Sequence, residues 1–331
     1  MDRAGRLEFL LTSRPFRNPL SRKEKRHFSR TLGRGRNAAT IMIKPNNTPE
    51  ISAISCSLII WVVILFGLTG LGVLSLILTG VDQSKAFSPA ILLIGYAPSL
   101  AALCTAGFLS GAGGVRSLLR PIGKWRPGLQ WYALVLLGPL VLVLLANVID
   151  LALGGALPHP WLAFPELGSV IGPLIAGSLG EEIGWRGFAQ PLLQKRYSVF
   201  WASVMIGVLW ATWHLWPVLA PGGLVHLTPL DVVQTYVRLI STAIIYGWIY
   251  NSTRGSLLLV MLAHAGHNIA IDLLPSIPDG TALILAFLYL AAAIVVVWVT
   301  KAQTFSRPKG ICPRDTQRTD SKQHKEKTTS H

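Results

Sequence analysis

The chain has 331 residues, of which 51% are hydrophobic and only 14% are charged, whereas an ordinary soluble domain carries about 25% charged residues. This composition excludes a soluble globular protein. The net charge of +15 comes mostly from the two ends, with 12 Lys and Arg residues in 1–50 and 8 in 301–331. We interpret these basic residues as flanks held at anionic lipid rather than as a surface for nucleic acid.

Both ends are predicted to be disordered basic tails. Residues 1–50 lack the apolar core and small-residue cleavage site of a secretory signal, although an organellar transit peptide or a misassigned start codon are alternatives. Residues 301–331 are polar and compositionally biased. Residues 51–300 are predicted to form a transmembrane domain, because their apolar blocks reach about 20 residues, the length of a membrane-spanning helix.

The predicted fold is an all-α, polytopic membrane bundle of about eight transmembrane helices. In chain order the spans cover approximately 53–79, 88–110, 130–153, 168–189, 199–219, 232–251, 256–274 and 281–300. With the N-terminus inside, every Lys and Arg in the tails and connections except Lys85 falls on the cytoplasmic side. This bias predicts that both termini are cytoplasmic.

Ionisable side chains at membrane depth cost about 2.5–3.5 kcal/mol each, so each needs a reason. They concentrate in the fourth to seventh predicted spans. Glu181 lies 16 residues before the turn near Tyr197 and His214 lies 17 residues after it, so a helical rise of about 1.5 Å per residue places both at similar depth. His264 and Asn268 are four residues apart and share a helix face.

This set of side chains predicts amide hydrolysis by an activated water. A buried carboxylate near an imidazole can deprotonate water, and the Glu181 and His214 pair could instead bind a divalent ion such as Zn²⁺. A His with an Asn can supply hydrogen-bond donors to an oxyanion. Arg186 follows Glu182 by four residues, which favours an intrahelical ion pair.

Three motifs resemble those of the CPBP family, the intramembrane CaaX-processing and bacteriocin-processing proteases that include Rce1-type enzymes. The EExxxR motif is "EEIGWR" at 181–186, FxxxH appears as "WATWH" at 210–214, and HxxxN is "HAGHN" at 264–268. Trp210 stands where the family commonly has Phe. The resemblance covers roughly 90–300, with the motifs in a core of about 165–275.

The resemblance implies roles for six residues. Glu181 and His214 would hold and activate the attacking water, and His264 with Asn268 would stabilise the oxyanion. Glu182 and Arg186 would support and orient the site. The expected activity is that of an intramembrane endopeptidase cutting near the membrane surface, with a membrane protein or lipidated peptide as substrate.

Two rival functions stay open. A proton- or ion-coupled transporter could use the same ionisable residues as a relay, but the sequence has no internal repeat to support it. A non-catalytic, immunity-type membrane protein could retain the fold. Outside the motifs, we expect a packing or supporting role for His267, a structural role for Arg238 through snorkelling or pairing with Asp231, and an inner-surface location for the basic stretch 119–128.

Overall fold

A computed structural model describes residues 48–82, 88–156, 161–163, 171, 177–223, 227–274 and 280–301 of the chain. Every structural statement below refers to these residues. Most of the predicted tails, at 1–50 and 301–331, lies outside them. So does most of the first half of the predicted fourth span.

Eight main helical elements follow one another, with short 3-10 helices at Arg120–Gly123 and Trp216–Leu219, and the described residues contain no β-strand. The fourth element, α4, consists of three consecutive segments, α-helical Gly180–Glu182, π-helical Ile183–Ala189 and α-helical Gln190–Leu193. The other elements are α1 Thr48–Thr79, α2 Pro89–Leu119, α3 Leu129–Ala152, α5 Val199–Trp213, α6 Pro229–Ser252, α7 Leu257–Leu273 and α8 Gly280–Thr300.

Six of these helices are long and apolar enough to cross a membrane, which confirms the predicted polytopic helical bundle. The six candidate spans are Ser52–Thr79, Pro89–Gly123, Leu129–Ala152, Val199–Leu219, Pro229–Ser252 and Gly280–Thr300. The predicted seventh span is the shorter apolar helix α7, and the predicted fourth span is the interrupted element α4. The side of the membrane on which each terminus lies stays a prediction.

Helix starts in this bundle follow local sequence signals. The side chains of Ser88, Ser198 and Ser256 accept backbone N–H bonds at the starts of α2, α5 and α7. Thr228 and Asp231 form a reciprocal capping box at the start of α6. These caps satisfy N–H groups that have no partner within the helix, so they fix where each helix begins and at what height its side chains lie.

The element α4 packs closely against α2 through two glycines. A Cβ atom placed on Gly180 would lie 2.6 Å from the carbonyl oxygen of Gly95, and one placed on Gly184 would collide with the carbonyl oxygen of Pro98. Ser99 Oγ donates to the carbonyl oxygen of Leu179 at 2.9 Å. Small residues allow two backbones to approach in this way, and the approach carries the charged residues of α4 into the centre of the bundle.

Candidate active site

Three ionisable side chains of α4 are buried. Glu182 and Arg186 have no exposed surface and Glu181 is 6% exposed. A single guanidinium nitrogen of Arg186, Nη1, donates to Glu182 Oε1 at 2.9 Å and to Oε2 at 3.0 Å. The predicted ion pair is therefore present, with both carboxylate oxygens of Glu182 engaged. The π-helical turn after Glu182 is a local feature that recurs at functional sites.

Glu182 also holds the imidazole of α7. Its Oε1 lies 2.8 Å from His264 Nδ1. Because a carboxylate paired with a guanidinium can only accept, this contact requires a proton on Nδ1. The other ring nitrogen of His264, Nε2, then faces Glu181, whose Oε1 lies 4.0 Å away. Glu182 thus connects Arg186 to His264 and sets the direction of the ring.

Glu181 has its own partner on α5. The indole Nε1 of Trp210 donates to Glu181 Oε2 at 2.6 Å, which leaves Oε1 as the oxygen nearer to His264. The family's more common residue at this position, Phe, has no donor. The departure at Trp210 therefore adds a hydrogen bond to the carboxylate for which the resemblance implies a role in activating water.

His214 lies at the C-terminal end of α5 and is partly buried. Its Nδ1 is 3.0 Å from the carbonyl oxygen of Trp210. Since a carbonyl only accepts, Nδ1 carries the proton and Nε2 of a neutral ring is left as an acceptor. The residue of α5 that touches Glu181 is Trp210, one turn before His214, and the rings of Trp210 and His214 pack edge-on with centroids 5.5 Å apart.

Asn268 lies beside the same space. A Cβ atom placed on Gly177 would be 3.0 Å from Asn268 Nδ2 and 4.0 Å from His264 Nε2. The absence of a side chain at Gly177 therefore leaves open the space that the Asn268 amide and the His264 Nε2 both border. The structure thus brings the predicted residues of α4 and α7 together, while His214 lies one turn beyond Trp210 at the end of α5.

Tyr246 of α6 was not predicted from the sequence. It is 2% exposed, and its ring lies 5.0 Å from the Arg186 guanidinium carbon, which also lies 4.7 Å from the ring of Trp210. The two aromatic rings lie against the guanidinium group that binds Glu182. Cation–π contacts of this kind stabilise a charge that is removed from water. An aromatic residue within an apolar span gives no signal of such a contact, because neither its spacing nor its residue type is unusual there.

The second histidine of the "HAGHN" motif has a supporting place, as expected. Arg238 Nη1 donates to His267 Nε2 at 3.2 Å, and His267 Nδ1 lies 2.6 Å from the Tyr289 hydroxyl oxygen. The expectation that Arg238 snorkels or pairs with Asp231 is not what the structure shows. Asp231 instead accepts from Thr228 and Gln234 at the start of α6, and Arg238 ties α6 to α7 through His267.

A divalent ion would need three or more protein ligands in a typical zinc site. The part of the chain that the structure describes contains no group of three or more His, Cys, Asp and Glu side chains that could hold one. Glu182 is engaged with Arg186, and one oxygen of Glu181 is engaged with Trp210. The predicted Glu181 and His214 pair therefore does not fit a zinc site in this arrangement.

Comparison with known proteins places these residues in a family. Residues 163–270 match the model for "Type II CAAX prenyl endopeptidase Rce1-like", a range that includes all three motifs. A protein named CAAX prenyl protease 2, from Methanococcus maripaludis, is 28% identical over 133 residues. The match covers 39% of this chain and about half, 49%, of that relative's length. Together with the three motifs, these matches support membership of the CPBP family of the Rce1 type.

Proposed function

We propose that this chain is a CAAX-protease-like intramembrane endopeptidase that hydrolyses a peptide bond with a water activated by Glu181. The observation that carries the proposal is the pairing of Glu181 with His264. One oxygen of Glu181 is held by Trp210, and the other lies 4.0 Å from His264 Nε2. A water of ordinary hydrogen-bond length could contact both atoms, because each bond needs only about 2.7–3.0 Å.

In the proposed reaction Glu181 removes a proton from this water as the oxygen attacks the substrate carbonyl carbon. The resemblance assigns His214 a second contact to this water, and Nε2 is the acceptor available for it because Nδ1 is bonded to the backbone. Negative charge develops on the carbonyl oxygen of the substrate. The Nδ2 amide of Asn268 and a protonated Nε2 of His264 stabilise this charge by donating hydrogen bonds. Glu181 then gives its proton to the departing amine as the C–N bond breaks, which leaves a carboxylic acid and an amine, and these become a carboxylate and an ammonium by proton exchange.

The ion pair of Glu182 and Arg186 fixes this geometry. Glu182 holds His264 Nδ1, and Arg186 keeps Glu182 charged and in place. Neither group needs to touch the substrate in the proposed reaction. Preorganised contacts of this kind reduce the reorganisation required when charge develops in the transition state.

The substrate class we propose is a membrane-anchored or lipidated peptide cut near the membrane surface. The family description and the name of the relative both refer to CAAX prenyl substrates, and the helices of this chain are apolar enough to place the site within a bilayer. A farnesylated peptide ending in a CaaX sequence is therefore the first substrate to test. A peptide with the same sequence and no lipid is its matched control.

The test compares Glu181→Gln with the unchanged chain, both reconstituted in lipid vesicles. The variant preserves the shape of the side chain but cannot accept the proton, so we expect cleavage to fall to background. Asp272→Asn is the matched control, since Asp272 is an exposed carboxylate on the same bundle, outside the site, and we expect it to retain activity. Normal cleavage by folded Glu181→Gln would refute the proposal.

A separate measurement addresses metal dependence. The geometry supports direct activation by Glu181, so we expect cleavage by metal-depleted protein to continue in the presence of a chelator. Inactivation by the chelator with recovery on addition of Zn²⁺ would show that cleavage depends on a bound ion and would contradict direct activation by Glu181 alone. Metal content measured in the same samples would show whether the chelator removed all of the bound metal.

A further inference from the structure

A basic pocket lies at the end of the bundle where α2 and α6 finish and α3 and α7 begin. It is a cavity of about 710 Å³ lined by residues 123–127 and 252–254. The pocket includes part of the basic stretch 119–128, which has no role in the proposed hydrolysis. It is separate in sequence from the three motifs, none of whose residues line it.

Specific hydrogen bonds hold the two walls of this pocket together. Lys124 Nζ donates to the carbonyl oxygen of Arg254 at 2.7 Å, and Ser256 Oγ donates to the carbonyl oxygen of Lys124 at 2.6 Å. Tyr132 Oη donates to the carbonyl oxygen of Trp125 at 2.7 Å. Arg254 has a φ of 58°, a left-handed conformation that few residues other than Gly, Asn and Asp adopt readily. These hydrogen bonds therefore hold the two segments that line the pocket in a defined arrangement.

The charge of the pocket is entirely positive. Lys124, Arg126 and Arg254 line it and no Asp or Glu does. Among the described residues, none of the three forms an ion pair with a carboxylate. Burial, and then the charge of Arg120, lower the pKa of Lys124. The pocket therefore lacks an internal counter-charge and favours an anionic ligand.

The position of the pocket matches the headgroup level of a bilayer. The candidate spans of α2 and α6 end at Gly123 and Ser252, and that of α3 begins at Leu129. Trp125 is 57% exposed and has the Arg126 guanidinium carbon 4.5 Å from its ring centroid, while Leu129 is 82% exposed. Exposed Trp and Arg beside an exposed apolar residue are typical of the membrane–water interface.

We propose that this pocket binds the phosphate-bearing headgroup of an anionic phospholipid. The guanidinium groups of Arg126 and Arg254 offer paired N–H donors of the geometry that a phosphate accepts. Lys124 Nζ donates one hydrogen bond to the Arg254 carbonyl oxygen, and its other two N–H groups can donate to a ligand. The acyl chains would continue from the pocket along the exposed apolar surface that begins at Leu129.

The test measures lipid binding to the full chain in detergent by native mass spectrometry. Phosphatidylglycerol is compared with phosphatidylcholine of the same acyl chains, and glycerol 3-phosphate is added as a soluble source of the same chemistry. We expect the unchanged chain to retain phosphatidylglycerol preferentially. We also expect glycerol 3-phosphate not to displace it at equal concentration, because the soluble compound has no acyl chain.

Two substitutions remove charge from the pocket without removing the hydrogen bonds between its walls. Arg126→Gln and Arg254→Asn leave those bonds intact, since Arg254 contributes only its backbone carbonyl, and Asn suits the left-handed conformation. Each basic residue near an anionic surface strengthens binding about fivefold, so the double variant is expected to lose about 25-fold. Arg116→Gln is the matched control, because Arg116 is exposed near the same end of α2 but does not line the pocket.

Three results would overturn the proposal. The first is equal binding of both lipids by the unchanged chain, and the second is an equal loss in Arg116→Gln, which would show diffuse attraction. The third is displacement by glycerol 3-phosphate at equal concentration, which would assign the pocket to a soluble anion. If the double variant does not fold, the single variant Arg126→Gln, at an exposed residue, must still lose about fivefold. None of these measurements depends on proteolysis.

Discussion

Replacing Arg186 by Gln would test how the buried charges of α4 are kept in place. Arg186 and Glu182 have no exposed surface, and Arg186 Nη1 contacts both oxygens of Glu182 at 2.9 and 3.0 Å. The substitution leaves Glu182 buried with His264 as its remaining partner. Breaking a buried ion pair in this way costs about 3–5 kcal/mol, so we expect a loss of that size in the free energy of unfolding.

The double variant, Glu182→Gln with Arg186→Gln, separates the unpaired charge from the loss of packing. Because the double variant leaves no unpaired buried charge, it is expected to be more stable than Arg186→Gln. The coupling energy from the double-mutant cycle should then reach roughly 2 kcal/mol or more. Arg116→Gln controls for the substitution itself, since Arg116 is exposed and is expected to change stability by less than about 0.5 kcal/mol.

Stability can be measured by equilibrium unfolding in mixed detergent micelles, followed by circular dichroism. A loss below about 1 kcal/mol in Arg186→Gln, or a double variant no more stable than the single one, would refute the argument. If Arg186→Gln does not fold at all, Arg186→Lys preserves the charge but not the planar donor group. That variant should then fall between the unchanged chain and Arg186→Gln.

Two further substitutions test the surroundings of Glu181 and Asn268. Trp210→Phe removes the donor to Glu181 Oε2, and the loss of a hydrogen bond to a charged group of about 1.5–3 kcal/mol predicts a fall in kcat of roughly 10- to 150-fold. Trp298→Phe, at a residue of α8 that is 82% exposed, should stay near the unchanged rate, and equal rates for both variants would contradict the assignment. Gly177→Ala would add a methyl group 3.0 Å from Asn268 Nδ2, so kcat/KM is expected to fall at least about tenfold through misplacement of the reacting groups. Gly67→Ala has open surroundings and should leave kcat/KM unchanged, so a similar loss there would show a general cost of added methyl groups.

Motif spacing predicted much of the candidate site because the relevant side chains are costly at membrane depth. Glu182 and Arg186 are four residues apart on one helix, so their contact follows from local geometry alone. His264 contacts Glu182 because α7 has few polar residues, and the packing of its apolar face fixes the direction in which these polar side chains point. The predicted polytopic bundle is confirmed for the same reason, since long apolar helices have few alternatives in a bilayer.

Other contacts could not be predicted, because they depend on how helices cross. Equal depth on a hairpin did not reveal that Trp210, and not His214, reaches Glu181. Tyr246 has no signal in the sequence, and the partner of Arg238 on α7 lies 29 residues further along the chain. The interruption of α4 by a π-helical turn also gives no pattern, since its residues are compatible with an ordinary helix.

The close approach of α4 to α2 determines how mutations outside the motifs affect the site. The carbonyl oxygens of Gly95 and Pro98 form the surface against which Gly180 and Gly184 pack. The contact with α2 therefore determines the height of Glu181 in the bundle. A substitution that shifts this stretch of α2 would move the carboxylates without altering any motif. In a mutational scan for function, residues near 95–98 should therefore behave like members of the site, although no comparison of motifs would select them.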